Sequence, residues 1–126
     1  MNLTHLRPRV LVVDDDAPIR EVVAEALGDE GYDVSTAVDG ADALASCRDN
    51  CPDLILLDLN MPGVDGASFL AAYRLGITCH APVVVFSAVQ SAHRIATEIL
   101  ADDFLSKPFI LADLSAMVRR HLAPVA

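Results

Sequence analysis

The sequence predicts an α/β fold, in which a doubly wound, five-stranded parallel sheet carries helices on both faces. Short apolar runs alternate with helical patterns along the 126 residues, and this alternation is typical of parallel strands joined by helical crossovers. The apolar runs are continuous, as expected for strands that are buried on both faces. Because such crossovers are right-handed, the doubly wound arrangement is the natural solution. The length fits a single domain over residues 1–126, with a core from about 8 to 123.

The first half of the chain is predicted to contain three strands and two helices. Apolar residues from Ile19 to Leu27 recur at the spacing of one helical face. Asp16 is a suitable N-cap for this helix, and Pro18 fits its first turn, where a missing N–H costs little. Gly28 and Gly31 are expected to end it. The other elements are strands over 10–13, 32–37 and 53–57, and a helix over 41–48.

The second half continues the alternation. A loop over 58–66 contains Pro62 and Gly63, and the helix that follows carries Phe69 and Tyr73 and ends near Gly76. Strands one and three are expected to flank the point where the strand order reverses, and parallel sheets bind ligands at such a point. The remaining elements are strands over 83–86 and 104–106, and helices over 91–100 and 111–122.

The charge and hydropathy of the chain exclude several classes of protein. A formal net charge of −9 leaves no basic face that could displace counterions from a nucleic acid, so direct nucleic-acid binding by this segment is not expected. Binding to an anionic membrane is disfavoured for the same reason. No apolar run approaches the roughly 20 residues that span a bilayer, and the first residues lack the apolar stretch of a signal peptide. A cytoplasmic protein is expected.

The three cysteines, Cys47, Cys51 and Cys79, form no C-x-x-C pair. No nearby set of histidines and cysteines completes a zinc site with them. Their number is odd, and the protein is expected to be cytoplasmic. We therefore expect reduced structural thiols.

Polar residues follow four of the five predicted strands at their carboxyl ends. Asp14 and Asp15 follow strand one, Asp58 follows strand three, Ser87 follows strand four and Lys107 follows strand five. Because these ends meet at one edge of a parallel sheet, the side chains are expected to converge. Three carboxylates in one place repel one another. A hard divalent cation such as Mg²⁺, which favours oxygen ligands, would relieve that repulsion.

Such a site is suited to a phosphoryl group once a metal is bound. Carboxylate nucleophiles can form aspartyl-phosphates, and the protein's contribution to phosphoryl transfer is mainly positioning and charge stabilisation. Lys107 would add positive charge, and the hydroxyl of Ser87 could bond a phosphoryl oxygen. Each residue alone has an ordinary structural interpretation, such as helix capping for Asp14 to Asp16. Their joint position at the strand ends favours the functional interpretation.

Four segments of the chain resemble the receiver domain of two-component response regulators. They read VLVVDDD at 10–16, LILLDLNMPGVDG at 54–66, VVVFSA at 83–88 and DDFLSKPF at 102–109. The resemblance covers nearly the whole chain, and the four segments stand in the order typical of the family. The resemblance implies a flavodoxin-like and CheY-like three-layer sandwich with strand order 2-1-3-4-5. It also implies a regulatory phosphoprotein of a phosphorelay, not an enzyme, which acts only in its own phosphorylation and dephosphorylation.

The resemblance assigns the site residue by residue. Asp58 matches the phosphoacceptor, and Lys107 matches the lysine that pairs with the phosphoryl group. Asp14 and Asp15 match the acidic pair that binds Mg²⁺ or Mn²⁺, and Asp15 is favoured as the direct ligand. Asn60 matches the position whose main-chain carbonyl completes the metal shell, together with the Asp58 carboxylate.

The resemblance also implies a conformational switch. Ser87 matches its hydroxyl residue, Ala88 matches the small neighbour that leaves room for the phosphoryl group, and Phe104 matches the aromatic residue that moves. The Lys107–Pro108 bond is cis in this family. Leu100 stands where the family often has glycine, and the segment between strands four and five is shorter than is typical.

The implied partners are a histidine kinase or a histidine phosphotransfer protein as phosphodonor, and a downstream effector or an output domain of the same protein. The output face is formed by the fourth predicted helix, the fifth strand and the fifth helix, and a homodimer through that face is compatible with the resemblance. Two alternatives stay open: a receiver-like module that works without phosphate, and an Asp-nucleophile, Mg²⁺-dependent phosphohydrolase of the haloacid dehalogenase type. That hydrolase needs a second acid where this chain has Asn60.

Overall fold

The computed structural model describes residues 7–58, 66–76, 79–87 and 101–122. Its elements in chain order are β1 (Arg9–Val13), α1 (Ala17–Asp29), β2 (Asp33–Ala37), α2 (Gly40–Asp49), β3 (Leu54–Leu57), α3 (Gly66–Gly76), β4 (Val83–Ser87), β5 (Asp103–Ser106) and α4 (Leu111–His121). The helix predicted over 91–100 lies outside the described residues, so α4 is the fifth predicted helix. The type predicted for each described element is confirmed. None of the helices in these ranges combines the length and apolarity needed to cross a membrane.

The strands form a parallel sheet in the order β2-β1-β3-β4-β5, which confirms the predicted order. β1 and β3 are neighbours and pair in register, with Val10 opposite Leu54 and Val13 opposite Leu57. The strand order reverses at this pair, because β2 lies on the other side of β1. Residues that follow Val13 and Leu57 therefore emerge side by side at the carboxyl edge of the sheet.

Apolar residues cover both faces of the sheet, which explains why the strand sequences are continuously apolar. Along β1, Leu11 and Val13 pack with α2 and α3 on one face, while Val10 and Val12 pack with α1 and α4 on the other. Every residue of β3 is buried. Burial of each aliphatic side chain stabilises the fold by about 1.5–3 kcal/mol. The central strands are therefore firmly held, and they position the side chains that follow their carboxyl ends.

The first helix begins as predicted and ends between the two glycines that were expected to close it. Asp16 is its N-cap and accepts a hydrogen bond from a main-chain N–H of the first turn at 3.4 Å, and Pro18 lies in that turn. Gly28 does not end the helix, which continues to Asp29, because packing against the sheet outweighs the roughly 1 kcal/mol cost of a helical glycine. Gly31 has a φ of 99°, in the left-handed region that glycine adopts readily. The turn towards β2 therefore depends on Gly31.

The expectation of three reduced thiols is wrong, because Cys51 and Cys79 form a disulfide with an S–S distance of 2.01 Å. Cys47 is free and buried. The pairing follows from the sheet: β3 and β4 are parallel neighbours, so the segments that precede them meet at the amino edge. Cys51 precedes β3 and Cys79 precedes β4, and a sequence separation of 28 residues conceals their proximity.

Candidate functional site

Three side chains of the site follow three different strands: Asp14 follows β1, Asp58 follows β3 and Lys107 follows β5. Main-chain hydrogen bonds hold the two acidic residues in place. Asp14 donates its N–H to the carbonyl of Ala37 at 3.1 Å, and Asp58 donates its N–H to the carbonyl of Val13 at 2.9 Å. The parallel register of the sheet therefore positions both acids independently of their side-chain contacts.

Asp14, Asp15 and Asp58 form an acidic cluster. Asp14 is fully buried, Asp58 is 4% exposed and Asp15 is exposed. One carboxylate oxygen from each lies within 4.8 Å of those from the other two. Mg²⁺ binds hard oxygen ligands in an octahedral shell and usually retains several waters. A set of three carboxylates with one member open to solvent fits such an ion.

Lys107 lies beside the buried members of this cluster. Its ammonium nitrogen is 2.6 Å from Oδ2 of Asp14 and 3.4 Å from Oδ2 of Asp58. It also lies 4.7 Å from the centre of the Phe86 ring, which is a favourable cation–π distance. Because only 13% of its side chain is exposed, its charge is less screened by water than that of a surface lysine. The Lys107–Pro108 peptide bond is cis, as the resemblance implies.

The Asp14 carboxylate has a partner on each oxygen. Oδ1 accepts a hydrogen bond from the main-chain N–H of Asp16 at 2.9 Å, while Oδ2 faces Lys107. Arg20 donates to the main-chain carbonyl of Asp14 at 2.7 Å and brings a further positive charge to this side of the site. These contacts fix Asp14 in position. Because Asp15 is exposed and Asp14 is buried, Asp15 is the more accessible acid of the pair.

The structure brings together four predicted site residues, which are Asp14, Asp15, Asp58 and Lys107. Ser87 is the last residue of β4, and its side chain lies outside the part of the chain that the structure describes. Asn60 and Ala88 lie wholly outside the described residues. Phe104 lies in β5 and is partly buried. Of the three predicted switch residues, Phe104 is the one whose side chain falls within the described part of the chain.

Sequence reasoning missed two residues of the site. The sequence indicates only that Phe86 lies in a strand, whereas its ring contacts Lys107 in the structure. The sequence pattern gives Arg20 no role in the site, whereas its guanidinium donates to the Asp14 carbonyl and holds the loop after β1. The position of Arg20 on the first helix, one turn after the acidic N-cap, is a weak signal that could have identified it.

An apolar groove of about 670 Å³ opens beside Lys107, between α1 and the segment that joins β5 to α4. The side chains of Val22 and Phe109 are among those that line it, together with Leu111. Val22 is 51% exposed and Leu111 is 48% exposed. The helical periodicity places both residues on the apolar faces of their helices. In the structure they lie at the margin of those faces, where they line the groove and stay partly exposed.

Comparison with known proteins identifies relatives of the chain. The family model described as "Response regulator receiver domain" matches residues 10–119. The chain is 49% identical over 117 residues to the transcriptional regulatory protein PrrA of Mycobacterium tuberculosis. It is 38% identical over 119 residues to the DNA-binding response regulator MtrA of the same species. These matches cover 91% and 93% of this chain but 50% and 51% of the relatives, so the chain spans about half their length.

Solved structures share the fold over nearly the whole chain. The chemotaxis protein CheY4 of Vibrio cholerae superposes with a TM-score of 0.82 at 32% identity, covering 92% of this chain and 99% of that one. The response regulator protein TrrA of Thermotoga maritima, in complex with Mg(2+)-BeF, gives the same score and identity and covers 91% and 99%. The receiver domain of NtrX from Brucella abortus gives 0.79 at 35% identity, with 90% and 97% covered.

Proposed function

The chain belongs to the family of response regulator receiver domains, and we propose that Asp58 is the residue that accepts the phosphoryl group. The observation that carries the proposal is the position of this carboxylate, which lies within the acidic cluster and 3.4 Å from the Lys107 ammonium. An acid in that position can act as a nucleophile while neighbouring charges stabilise the group that it receives.

In the proposed reaction, an oxygen of Asp58 attacks the phosphorus of a phosphohistidine on the donor. The new O–P bond forms as the N–P bond breaks, and the imidazole leaves with the bonding electrons and takes up a proton. A bound Mg²⁺ would neutralise charge on the phosphoryl oxygens. Asp15 and Asp58 would hold that ion, with the buried Asp14 behind them and the main-chain carbonyl of Asn60 as a further ligand.

Lys107 is proposed to pair with a phosphoryl oxygen. Its ammonium already lies between Asp14 and Asp58, and a lysine side chain is flexible enough to follow a new anionic partner. The hydroxyl of Ser87 would bond the same group, Ala88 would leave space for it, and Phe104 would move as the switch. These last three roles rest on the resemblance to the family.

The proposal makes the chain a regulator and not an enzyme with an external substrate. Asp58 receives one phosphoryl group, and the same site contributes to its removal. Magnesium as the metal is supported by the acidic cluster and by TrrA, a structural relative that is described in complex with Mg(2+)-BeF. Mn²⁺ is an alternative ion, because it prefers similar oxygen ligands.

The phosphodonor, a histidine kinase or a histidine phosphotransfer protein, is proposed to dock on the apolar groove. A donor must bring its phosphohistidine to Asp58, so it has to cover the mouth of the site next to Lys107, which itself lines the groove. Val22 and Leu111, which line the groove, each expose about half of their surface. Apolar side chains of the donor would remove that surface from water as its histidine reaches the acidic cluster.

The output of the domain is proposed from its relatives. PrrA is described as a transcriptional regulatory protein and MtrA as a DNA-binding response regulator, and this chain matches about half of each. We propose that the domain controls an output segment or a separate effector in the cytoplasm. The face that includes β5 and α4 would carry the signal, including through a homodimer. The net charge of −9 argues against DNA contact by the receiver segment itself.

A phosphotransfer assay with a purified, autophosphorylated histidine kinase tests this proposal. Val22→Glu places a charge in the groove, so transfer from the kinase should slow by at least about tenfold, while labelling by acetyl phosphate with Mg²⁺ stays unchanged. Leu75→Glu is the matched control, because Leu75 is 90% exposed on α3, which packs on the other face of the sheet. Equal effects of the two variants would contradict the docking surface.

The same assay separates the alternative functions. A module that works without phosphate would take no label from either donor. A phosphohydrolase would release inorganic phosphate over many turnovers without retaining one group. The proposed receiver retains a single phosphoryl group, and it loses this group when Asp58 is replaced.

A further inference from the structure

A second reactive site lies at the amino edge of the sheet, at the opposite end of β3 from Asp58. We propose that Cys51 and Cys79 form a reversible oxidation site, which hydrogen peroxide converts to a disulfide and a dithiol reduces again. The proposal goes beyond the phosphoacceptor function and does not depend on it. It rests on the placement of the two cysteines, the exposure of one of them and the burial of Cys47.

The sheet places the two cysteines within bonding distance. Cys51 lies shortly before β3 and Cys79 shortly before β4, and these strands pair from Ile55 and Val83 onwards. The Cα atoms of the cysteines are 5.4 Å apart, within the range that a disulfide spans without backbone movement. Because the pairing of β3 with β4 holds the two preceding segments together, we expect the folded dithiol to close with little backbone movement.

The accessibility of the pair favours reversible chemistry. Cys51 is an exposed residue that a small oxidant or reductant can approach, while Cys79 is only 7% exposed. Exposed disulfides are the more readily reduced class. The domain also has packed cores on both faces of its sheet, and a chain of this length does not need a covalent staple to fold. The bond therefore has no obligatory structural role.

Cys47 is excluded from the exchange by its surroundings. It is 1% exposed, and burial raises the pKa of its thiol to about 11. At neutral pH it is protonated and shielded, so it is a poor nucleophile towards the neighbouring disulfide. Its main-chain oxygen lies 3.5 Å from the Cys79 sulfur. After reduction the Cys79 thiol can donate to that oxygen, which gives the dithiol form a partner.

The oxidation proceeds in two balanced steps. The Cys51 thiolate attacks one oxygen of hydrogen peroxide, the O–O bond breaks, and hydroxide leaves and becomes water, which produces a sulfenic acid. The Cys79 thiolate then attacks the Cys51 sulfur, the S–S bond forms, and the S–O bond breaks with loss of a second water. The two thiols lose two electrons and two protons, and the peroxide receives them.

Closure of the bond is expected to change stability and not phosphorylation. The bond closes a loop with a sequence separation of 28 residues, which restricts the unfolded chain. Asp58 lies within this loop, but β3 pairs with β1 and β4 on its two sides and fixes the residue in both redox states. Oxidation should therefore raise the melting temperature while labelling of Asp58 stays the same.

The test treats the full chain with hydrogen peroxide, blocks remaining thiols after denaturation, and maps the peptides by mass. We expect a cross-linked peptide that joins Cys51 to Cys79, with Cys47 as the blocked thiol. Dithiothreitol should restore three blockable thiols and lower the melting temperature by on the order of 10 °C. Labelling by acetyl phosphate should be equal in the two states.

Two variants keep the result unambiguous. Cys51→Ser changes an exposed residue and should abolish both the cross-link and the redox-dependent melting temperature, whereas Cys47→Ala should retain both. A cross-link through Cys47, a bond between two chains, or a Cys51–Cys79 bond that dithiothreitol cannot open in the folded protein would overturn the proposal. Loss of Asp58 labelling with intact redox behaviour would count against the phosphoacceptor proposal alone.

Discussion

The Lys107 ammonium lies 2.6 Å from a carboxylate oxygen of Asp14, although 93 residues separate the two in sequence. Asp14 follows β1 and Lys107 follows the edge strand β5, so the contact passes over the ends of β3 and β4. Asp14 is fully buried, and a buried carboxylate needs a charged partner to offset its lost hydration. The pair therefore links site geometry to domain stability.

Replacement of Lys107 by Met should destabilise the domain in the absence of metal. The buried Asp14 carboxylate would lose its charged donor, which should lower the free energy of unfolding by about 1–3 kcal/mol. Arg119→Met is the control, because the ion pair of Arg119 with Glu30 is 3.6 Å long and largely exposed, and such pairs contribute less than about 1 kcal/mol. Urea unfolding with and without Mg²⁺ measures the loss of unfolding free energy in each variant. Equal losses would contradict the assigned role of the Lys107–Asp14 pair.

Metal binding should depend on Asp15 and not on Asp16, which lies outside the acidic cluster. Asp15→Asn removes an exposed member of the acidic cluster, so the affinity for Mg²⁺ should fall by at least about tenfold. Asp16→Asn makes the same charge change one residue later and preserves the helix cap, so its affinity should change little. The rise in melting temperature with Mg²⁺ concentration reports the affinity. Similar losses in both variants would indicate a diffuse electrostatic effect.

The strand order and the edge that carries the site were predictable because they depend on patterns that the backbone imposes. A continuous apolar run such as Leu54 to Leu57 indicates a strand covered on both faces. Right-handed crossovers then place every carboxyl end on one edge. Asp14 and Asp58 converge as a direct consequence, and no side-chain detail is needed to expect them there.

The features that sequence reasoning missed depend on contacts between distant side chains. The Cys51–Cys79 bond forms because the segments before β3 and β4 meet at one edge of the sheet. The spacing of the cysteines in the sequence does not reveal that proximity. Val22 lies on the apolar face of α1 by periodicity, but whether a neighbour covers it depends on how far α4 extends over that face. Periodicity indicates which face of a helix is apolar, but not how much of that face other elements bury.

Acid should weaken the contribution of Asp103 to stability. Burial alone would raise the pKa of Asp103, but hydrogen bonds from His121, the Phe104 N–H and Arg120 outweigh it and lower the pKa below the ordinary 3.8. A carboxyl group whose pKa is lowered by folding stabilises the fold at pH values above its ordinary pKa. This stabilisation is lost as the pH falls through the folded-state pKa. Asp103→Asn should therefore be less stable than the parent near neutral pH.

The difference between Asp103→Asn and the parent should shrink as the pH falls below 3.8. Free energies of unfolding measured at neutral and acidic pH check this. A difference that stays constant would mean that packing of the side chain, and not its charge, sets the effect.

Phosphorylation is expected to change the face that includes β5. Phe104 has no hydroxyl, so an inward position of the ring would be held by packing alone, and the change should be smaller than in a receiver with Tyr at this position. Amide chemical shifts with and without beryllofluoride, a phosphoryl mimic, would report it. We expect the changes to concentrate between Ser87 and Phe109. Shifts confined to the loops of Asp14, Asp58 and Lys107 would mean that the signal stops at the site.

The most direct test of the phosphoacceptor is to find the phosphoryl group after incubation with acetyl phosphate and Mg²⁺. The mass of the intact protein should increase by one phosphoryl group, and borohydride reduction of the acyl phosphate followed by peptide mapping should place the modification at Asp58. Asp58→Asn should take no label while it keeps the melting temperature and Cys51–Cys79 bond of a folded domain. A phosphoryl group mapped to another residue, or an Asp58→Asn variant labelled as fully as the parent, would contradict the account.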